Sequence, residues 1–233
     1  MITHSEQQKI WDEEHKHPHV LKQMDVMDVS SGVIKFWDFL QSTGVSFSQG
    51  LEMACGKGRN VIWLSKQGVG EMHGFDFSGA AIEEAKKRAL EAGDKNSIFE
   101  VMDATLPWKY DSNNFDFGID CFASTDIETK KDREFAIQEM HRVIRPGGYL
   151  LAYLLSTDDE FHKEMIGKFP AEERNAFFHP TTGKFEKTFD EEEIKDLYKD
   201  FTIIKKERIE KTTEFFGKNY KCKHFWVIFQ KAL

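Results

Sequence analysis

Gly56 and Gly58 stand one residue apart in LEMACGKGRN (51–60), after a short apolar run and before the helical pattern Val61-Ile62-Trp63-Leu64. A strand, a tight glycine turn and a helix N-terminus place backbone amides at the carboxyl end of a sheet, where ligands bind. A glycine also lets backbone approach a ligand where a Cβ would clash. Glu52 lies inside the apolar run, an unusual place for a carboxylate unless a cation or a donor is near. Asp76, in HGFDFS, ends the next such run, and its two oxygens can accept from both hydroxyls of a ribose. Asp103, in VMDATLP, can accept from an adenine amino group or cap the turn Thr105-Leu106-Pro107. A dinucleotide fingerprint needs G-x-G-x-x-G. Here Val61 stands three residues after Gly58 and Ala54 precedes the pair, so the glycines alone do not specify the ligand.

These residues need elements to hold them. Apolar spacing predicts helices over 5–16 and 30–41, and then strands and helices alternate. Strands are expected at 50–54, 71–75, 97–102, 115–121 and 149–155, with helices at 58–67, 79–92 (N-capped by Ser78) and 130–144. Pro146 is expected to stop the last helix, and Gly147-Gly148 to turn the chain into YLLAYLL (149–155). That strand is apolar on both faces, as in the middle of a helix-covered sheet. A helix starts at Asp190, and strands at 201–210 and 222–230 are joined by KTTEFFGKNYK. The strand at 201–210 carries Lys and Glu on both faces, like an edge strand. The strand at 222–230 has an interior pattern although it comes last, so it must be inserted antiparallel. The fold expected is α/β: a doubly wound, Rossmann-like sheet of seven strands, mostly parallel with an antiparallel last strand.

Taken in order, LEMACGKGRN, HGFDFS, VMDATLPW, FDFGIDCFAS and RVIRPGGYL resemble the class I S-adenosylmethionine-dependent methyltransferases. The likeness runs from about Trp11 to the end of the chain and includes the inserted last strand. The resemblance implies S-adenosyl-L-methionine as cofactor. It matches Glu52 to the acid of the first motif, Ala54, Gly56, Gly58 and Asn60 to the glycine turn, and Asp76 with Phe77 to the ribose site. Asp103 and Ala104 match the adenine contacts, Cys121 borders the methyl-transfer position, and Trp11 is expected to fold over the cofactor. Ala54 replaces the family's first glycine, and Glu52 its usual aspartate.

Loops at the carboxyl ends of strands should meet the methyl acceptor: 122–128, 156–189 and 211–220. They supply Phe122, Asp126, His179, Phe215, Phe216 and Tyr220 as candidate acceptor contacts. The equal alternative is that these phenylalanines only pack the loops onto the sheet. Segment 156–189 is too long for a plain connection and is expected to form a lid, with 1–45 as a helical cap on one domain spanning 1–233. His15-Lys16-His17-Pro18-His19 is expected to be exposed, and no metal site is assigned. No residue is assigned as catalytic.

The chain has 233 residues, with 32 Lys and Arg against 40 Asp and Glu, for a formal net charge of −8. That balance speaks against nucleic acid as partner, and no run is long and apolar enough for a membrane span. Three dispersed cysteines fit free thiols and the cytoplasm. A small-molecule acceptor and a monomer or homodimer are expected. The alternatives are a protein or RNA methyltransferase, an NAD-dependent oxidoreductase with a degenerate glycine motif, and a nonenzymatic module on the same fold.

Overall fold

A computed structural model describes residues 3–16 and 28–233. Seven strands make the central sheet: β1 (Gln49–Met53), β2 (Glu71–Asp76), β3 (Ser97–Val101), β4 (Phe115–Cys121), β5 (Ile144–Leu155), β8 (Thr202–Phe215) and β9 (Lys218–Gln230). Their order is β3-β2-β1-β4-β5-β9-β8, so β9 lies between β5 and the edge strand β8 and runs antiparallel to both. The order reverses between β1 and β4, which leaves the carboxyl ends of β1, β2 and β4 around an open crevice.

Helices cover both faces because the strands are apolar on both. On one side α2 (Ser31–Ser42), α3 (Arg59–Lys66) and α4 (Gly79–Glu91) pack on Phe117, Ile119, Leu151, Trp226 and Ile228. On the other, α6 (Lys130–Val143) and α8 (Glu191–Leu197) pack on Leu51, Phe75, Phe115, Phe225 and Phe229. The alternation of Trp226 and Ile228 against Phe225, Val227 and Phe229 along β9 is divided between these two layers. Ser78 caps α4 by accepting from the Ala81 amide, and Asp190 with Glu193 forms a capping box on α8.

Three sequence expectations are corrected. Pro146 does not stop α6, which ends at Val143 and passes straight into β5 at Ile144. Gly147-Gly148 makes a bulge inside that strand rather than a turn. Phe115 pairs with Ile144 and Phe117 with Tyr149, so the extra residues are taken up by Gly147 at φ 75°. Nor is 211–220 a loop: β8 and β9 pair from Thr202–Gln230 to Phe215–Lys218, leaving Phe216 and Gly217 as the whole turn. Both have positive φ, 53° and 77°, as a tight hairpin requires.

Segment 156–189 holds α7 (Glu160–Lys168) and the two-stranded hairpin of β6 (Ala176–Phe178) and β7 (Phe185–Lys187). Short α5 (Ala123–Asp126) follows β4, and α1 (His4–Lys16) lies near the start of the chain.

Candidate functional site

The crevice is built from the ends of β1, β2, β3 and β4, with α1 as its roof. It brings together Trp11, Ala54, Gly56, Asp76, Phe77, Asp103, Ala104 and Cys121, and on its far side Phe122 and Asp126. Their separation in sequence is closed by topology alone. Each follows the carboxyl end of a parallel strand, except Trp11, which α1 carries across.

Asp76 is the best-defined acceptor in the site. It is buried, and its two oxygens accept from the Gly56 and Ser78 amides, each at 2.9 Å. Burial raises its pKa to about 6 despite these bonds. The Gly56 amide thus aims the carboxylate, and each oxygen keeps a lone pair for a hydroxyl.

Glu52, Asn60 and Gly58 stand behind the crevice rather than in its lining. Glu52 is buried, and Asn60 Nδ2 donates to its Oε1 at 2.6 Å, while Asn60 Oδ1 accepts from the Ser30 amide at 2.9 Å. Oε2 of Glu52 is buried without a hydrogen-bond partner among the described residues. Burial pushes the carboxyl up to about 8, so a cationic donor reaching Oε2 would be strongly favoured. At Gly58 a Cβ would lie 2.7 Å from the Phe99 ring and 3.1 Å from the Ala85 Cβ. This glycine therefore serves the approach of α3 to β3 and α4. Ala54 adopts φ 51°, a conformation that glycine takes without steric cost.

Asp103 has both proposed uses in view. Its Oδ1 accepts from the Thr105 amide and hydroxyl, both at 2.8 Å, so it does cap the turn. Its Oδ2 meets His4 Nε2 at 2.8 Å and lines the crevice.

Of the acceptor-side candidates, Phe122 and Asp126 line the crevice; His179, Phe215, Phe216 and Tyr220 do not. Phe215 and Tyr220 are buried with Phe161, Met165 and Cys222, where they pin α7 to the long hairpin. Phe216 is 66% exposed at the hairpin tip. His179 is buried in the turn between β6 and β7, accepting from the Thr181 amide. The extension of β8 and β9 carries these aromatics away from the strand ends. Burial pushes the Asp126 carboxyl well above the carboxylate range, with the Glu186 carboxylate adding to it. Burial likewise raises Cys121 to about 12, so it stays a thiol.

His15, expected to be exposed, is buried against the crevice, with Nδ1 unpartnered among the described residues. Burial and then the charge of Lys57 lower its pKa to about 4, so it is neutral. His17 and His19 lie outside the described residues. Sequence reasoning also missed His4, Met102, Thr105, Ile127 and Glu128 in the lining. For His4 and His15 a signal existed: with Gln8 and Trp11 they recur at 4, 8, 11 and 15, one face of a helix that otherwise lacks an apolar stripe.

The fold is a Rossmann-like α/β sheet with an open crevice where its strand order reverses. Residues 51–148 match a protein family described as a methyltransferase domain. Among curated relatives, a 2-phytyl-1,4-naphtoquinone methyltransferase of Nostoc punctiforme is 30% identical over 46% of this chain and 46% of its own length. A demethylmenaquinone methyltransferase of Staphylococcus haemolyticus is 28% identical over 64% of this chain and 52% of its own. The chain thus spans about half the length of the curated relatives it matches. Two solved structures share the fold. A SAM-dependent methyltransferase from Methanosarcina mazei has a TM-score of 0.71 at 24% identity, covering 88% of this chain and 99% of that one. The N-methyltransferase NodS of Bradyrhizobium japonicum, in complex with S-adenosyl-L-homocysteine, has a TM-score of 0.67 at 15% identity, covering 97% and 99%. The glycine turn, Asp76, Asp103 and Cys121 all fall inside the span that matches the methyltransferase domain.

Proposed function

We propose that the crevice binds S-adenosyl-L-methionine and directs its methyl group, in line, to a small-molecule acceptor. The observation that carries this reading is Asp76, buried and aimed by two backbone amides into a crevice rimmed by the glycine turn. Asp76 would hold the ribose hydroxyls and Asp103 the adenine amino group. Glu52, one residue before the end of β1 and behind the lining, has the unpartnered oxygen that would meet the methionyl ammonium. When bound, the cofactor supplies a sulfonium-activated methyl group. The chain's part is to orient the acceptor and exclude water, since proximity supplies most of the acceleration and a dry site favours charge dispersal.

Besides Asp126 and Glu128, the lining that follows Cys121 in sequence is Phe122, Ala123 and Ile127, and with Trp11 these give the crevice apolar surface suited to a flat ring-bearing molecule. Relatives named for quinone methylation are in keeping with such an acceptor. We read α1 as the cap and 156–189 as the lid of this slot. Where the acceptor carries a hydroxyl, Asp126 is the carboxyl placed to hydrogen-bond and orient it.

Titration with S-adenosylhomocysteine and with NAD tests the cofactor: binding of the first and not the second is expected, and the reverse would sink the reading. Methyl-labelled cofactor incubated with a metabolite extract and followed by mass spectrometry should then give a labelled small molecule. Asp126→Asn should slow that transfer by up to about 100-fold through lost positioning and leave S-adenosylhomocysteine affinity unchanged. Equal loss of both would remove Asp126 from the acceptor side.

A further inference from the structure

His4 touches two carboxylates from different walls of the crevice: Nε2 lies 2.8 Å from Asp103 Oδ2, and Nδ1 lies 3.2 Å from Glu128 Oε2. Asp103 follows β3 and Glu128 follows α5, so one imidazole ties both to α1. The two oxygens of Asp103 are used unequally. Oδ1 already accepts from the Thr105 amide and hydroxyl, while Oδ2 accepts from His4 alone and keeps one lone pair. The carboxyl torsion of an aspartate is broad and roughly two-fold. Two donors on Oδ1 and one on Oδ2 therefore set the direction of that remaining lone pair.

His4 is not needed to hold α1 in place. Gln7 donates to the Gly183 carbonyl at 2.9 Å and accepts from the Phe185 amide at 3.3 Å. Gln8 donates to the Phe77 carbonyl at 2.8 Å, and the Ser78 hydroxyl donates to Asp12 at 2.5 Å. Glu14 lies 3.7 Å from Lys184, whose ammonium stands 4.6 Å over the Trp11 ring. These contacts run along the rest of the helix, between both walls of the crevice. His4 is the contact that reaches Asp103.

We propose that His4 is a positioning residue for the adenine end of the cofactor: it fixes the Asp103 carboxylate so that its free lone pair meets the exocyclic amino group. The inference rests on the nucleoside reading of the crevice and adds to it a residue that touches the carboxylate rather than the ligand. It also makes recognition proton-linked. A doubly protonated imidazole donates to Asp103 and Glu128 together, whereas a neutral ring donates to one and turns a lone pair on the other. The charged groups facing His4 are those two carboxylates, with the Phe77 ring at 5.8 Å as its aromatic neighbour. Partial burial lowers the pKa of His4, but the hydrogen bonds to Asp103 and Glu128 outweigh it and leave it above the ordinary histidine value. The contribution of His4 to affinity should therefore be full below that raised pKa and fall as the pH rises through it.

The test compares S-adenosylhomocysteine with S-inosylhomocysteine, in which an oxo group replaces the amino group, by calorimetry on the full chain. His4→Ala should weaken S-adenosylhomocysteine about tenfold, the range of a charge-assisted hydrogen bond. It should leave S-inosylhomocysteine within about twofold and abolish the alkaline loss of affinity. His4→Gln, which can still donate to Asp103, should recover part of the loss. Equal weakening of both ligands would show that His4 only roofs the crevice and would overturn the proposal. So would an unchanged or tighter S-adenosylhomocysteine in His4→Ala. Wild-type protein that binds neither ligand would remove the nucleoside reading and this inference with it.

Discussion

α1 and α2 are both early helices of similar length, 13 and 12 residues, yet they are held by opposite means. α2 buries Val33, Phe36, Trp37 and Leu40 against the sheet, and the Trp226 indole donates to the Gly32 carbonyl at 2.8 Å. The residues that α1 buries are Gln7, Glu14 and His15, and its anchors are hydrogen bonds and ion pairs to crevice walls. Apolar burial stabilises without regard to direction, whereas polar contacts are lost to water at little net gain or cost. α2 therefore belongs to the fold. α1 lines the crevice and adds little apolar burial to the sheet.

That contrast can be broken by mutation. Phe36→Ala should cost about 3–5 kcal/mol in urea unfolding while the folded fraction keeps its S-adenosylhomocysteine affinity. Trp11→Ala should do the reverse, costing under about 1 kcal/mol but weakening the ligand at least tenfold. A Trp11 variant as unstable as the Phe36 variant would erase the distinction.

The body that α1 docks onto can be loosened next. His162, buried in α7, meets Asp159 at 2.6 Å and Glu186 at 3.2 Å. Burial opposes its charge, but the two carboxylates hold its pKa at about 9. Asp159 is held down to about 2 by His162 against its own burial. His162→Ala leaves both carboxylates without their cation and should cost about 3 kcal/mol. In the wild type, the histidine's share of stability is complete below its unfolded pKa of about 6.5 and is lost as pH rises through about 9. The aspartate's share is complete above about 3.9 and is lost as pH falls through about 2. A melting temperature flat from pH 6 to 10 would contradict this pairing.

The smallest effect concerns the long hairpin, which the site does not use. Phe216 holds φ 53° at the first turn position, where asparagine is better tolerated. Phe216→Asn should raise stability by up to about 1 kcal/mol and leave ligand affinity alone. Weakened acceptor use in that variant would return the hairpin tip to the site.

Much of this was legible in the sequence, because strand faces, caps and glycine turns are local. Ser78, Asp190 and the alternation along β9 stand where their spacing placed them. The crevice residues Asp76, Asp103 and Cys121 were found because the first and last end strands and Asp103 closely follows one. The errors concern distances between elements. Nothing in KTTEFFGKNYK reveals that its residues pair across β8 and β9, which takes Phe215 and Tyr220 out of reach of the crevice. His15 reads as solvated because its neighbours are polar. Its burial depends on where α1 lands, and that is decided by Gln7, Gln8 and Asp12 meeting distant partners.

The central claim is that Asp76 grips the ribose of a nucleoside cofactor, and titration with S-adenosylhomocysteine against pH tests it most directly. Burial holds the Asp76 carboxyl at about 6, and only its ionised form accepts from both hydroxyls. Affinity should therefore drop as pH falls through about 6 in the wild type and be lost, at least 100-fold, in Asp76→Ala. An Asp76→Ala protein that binds with the wild-type dissociation constant would contradict the account.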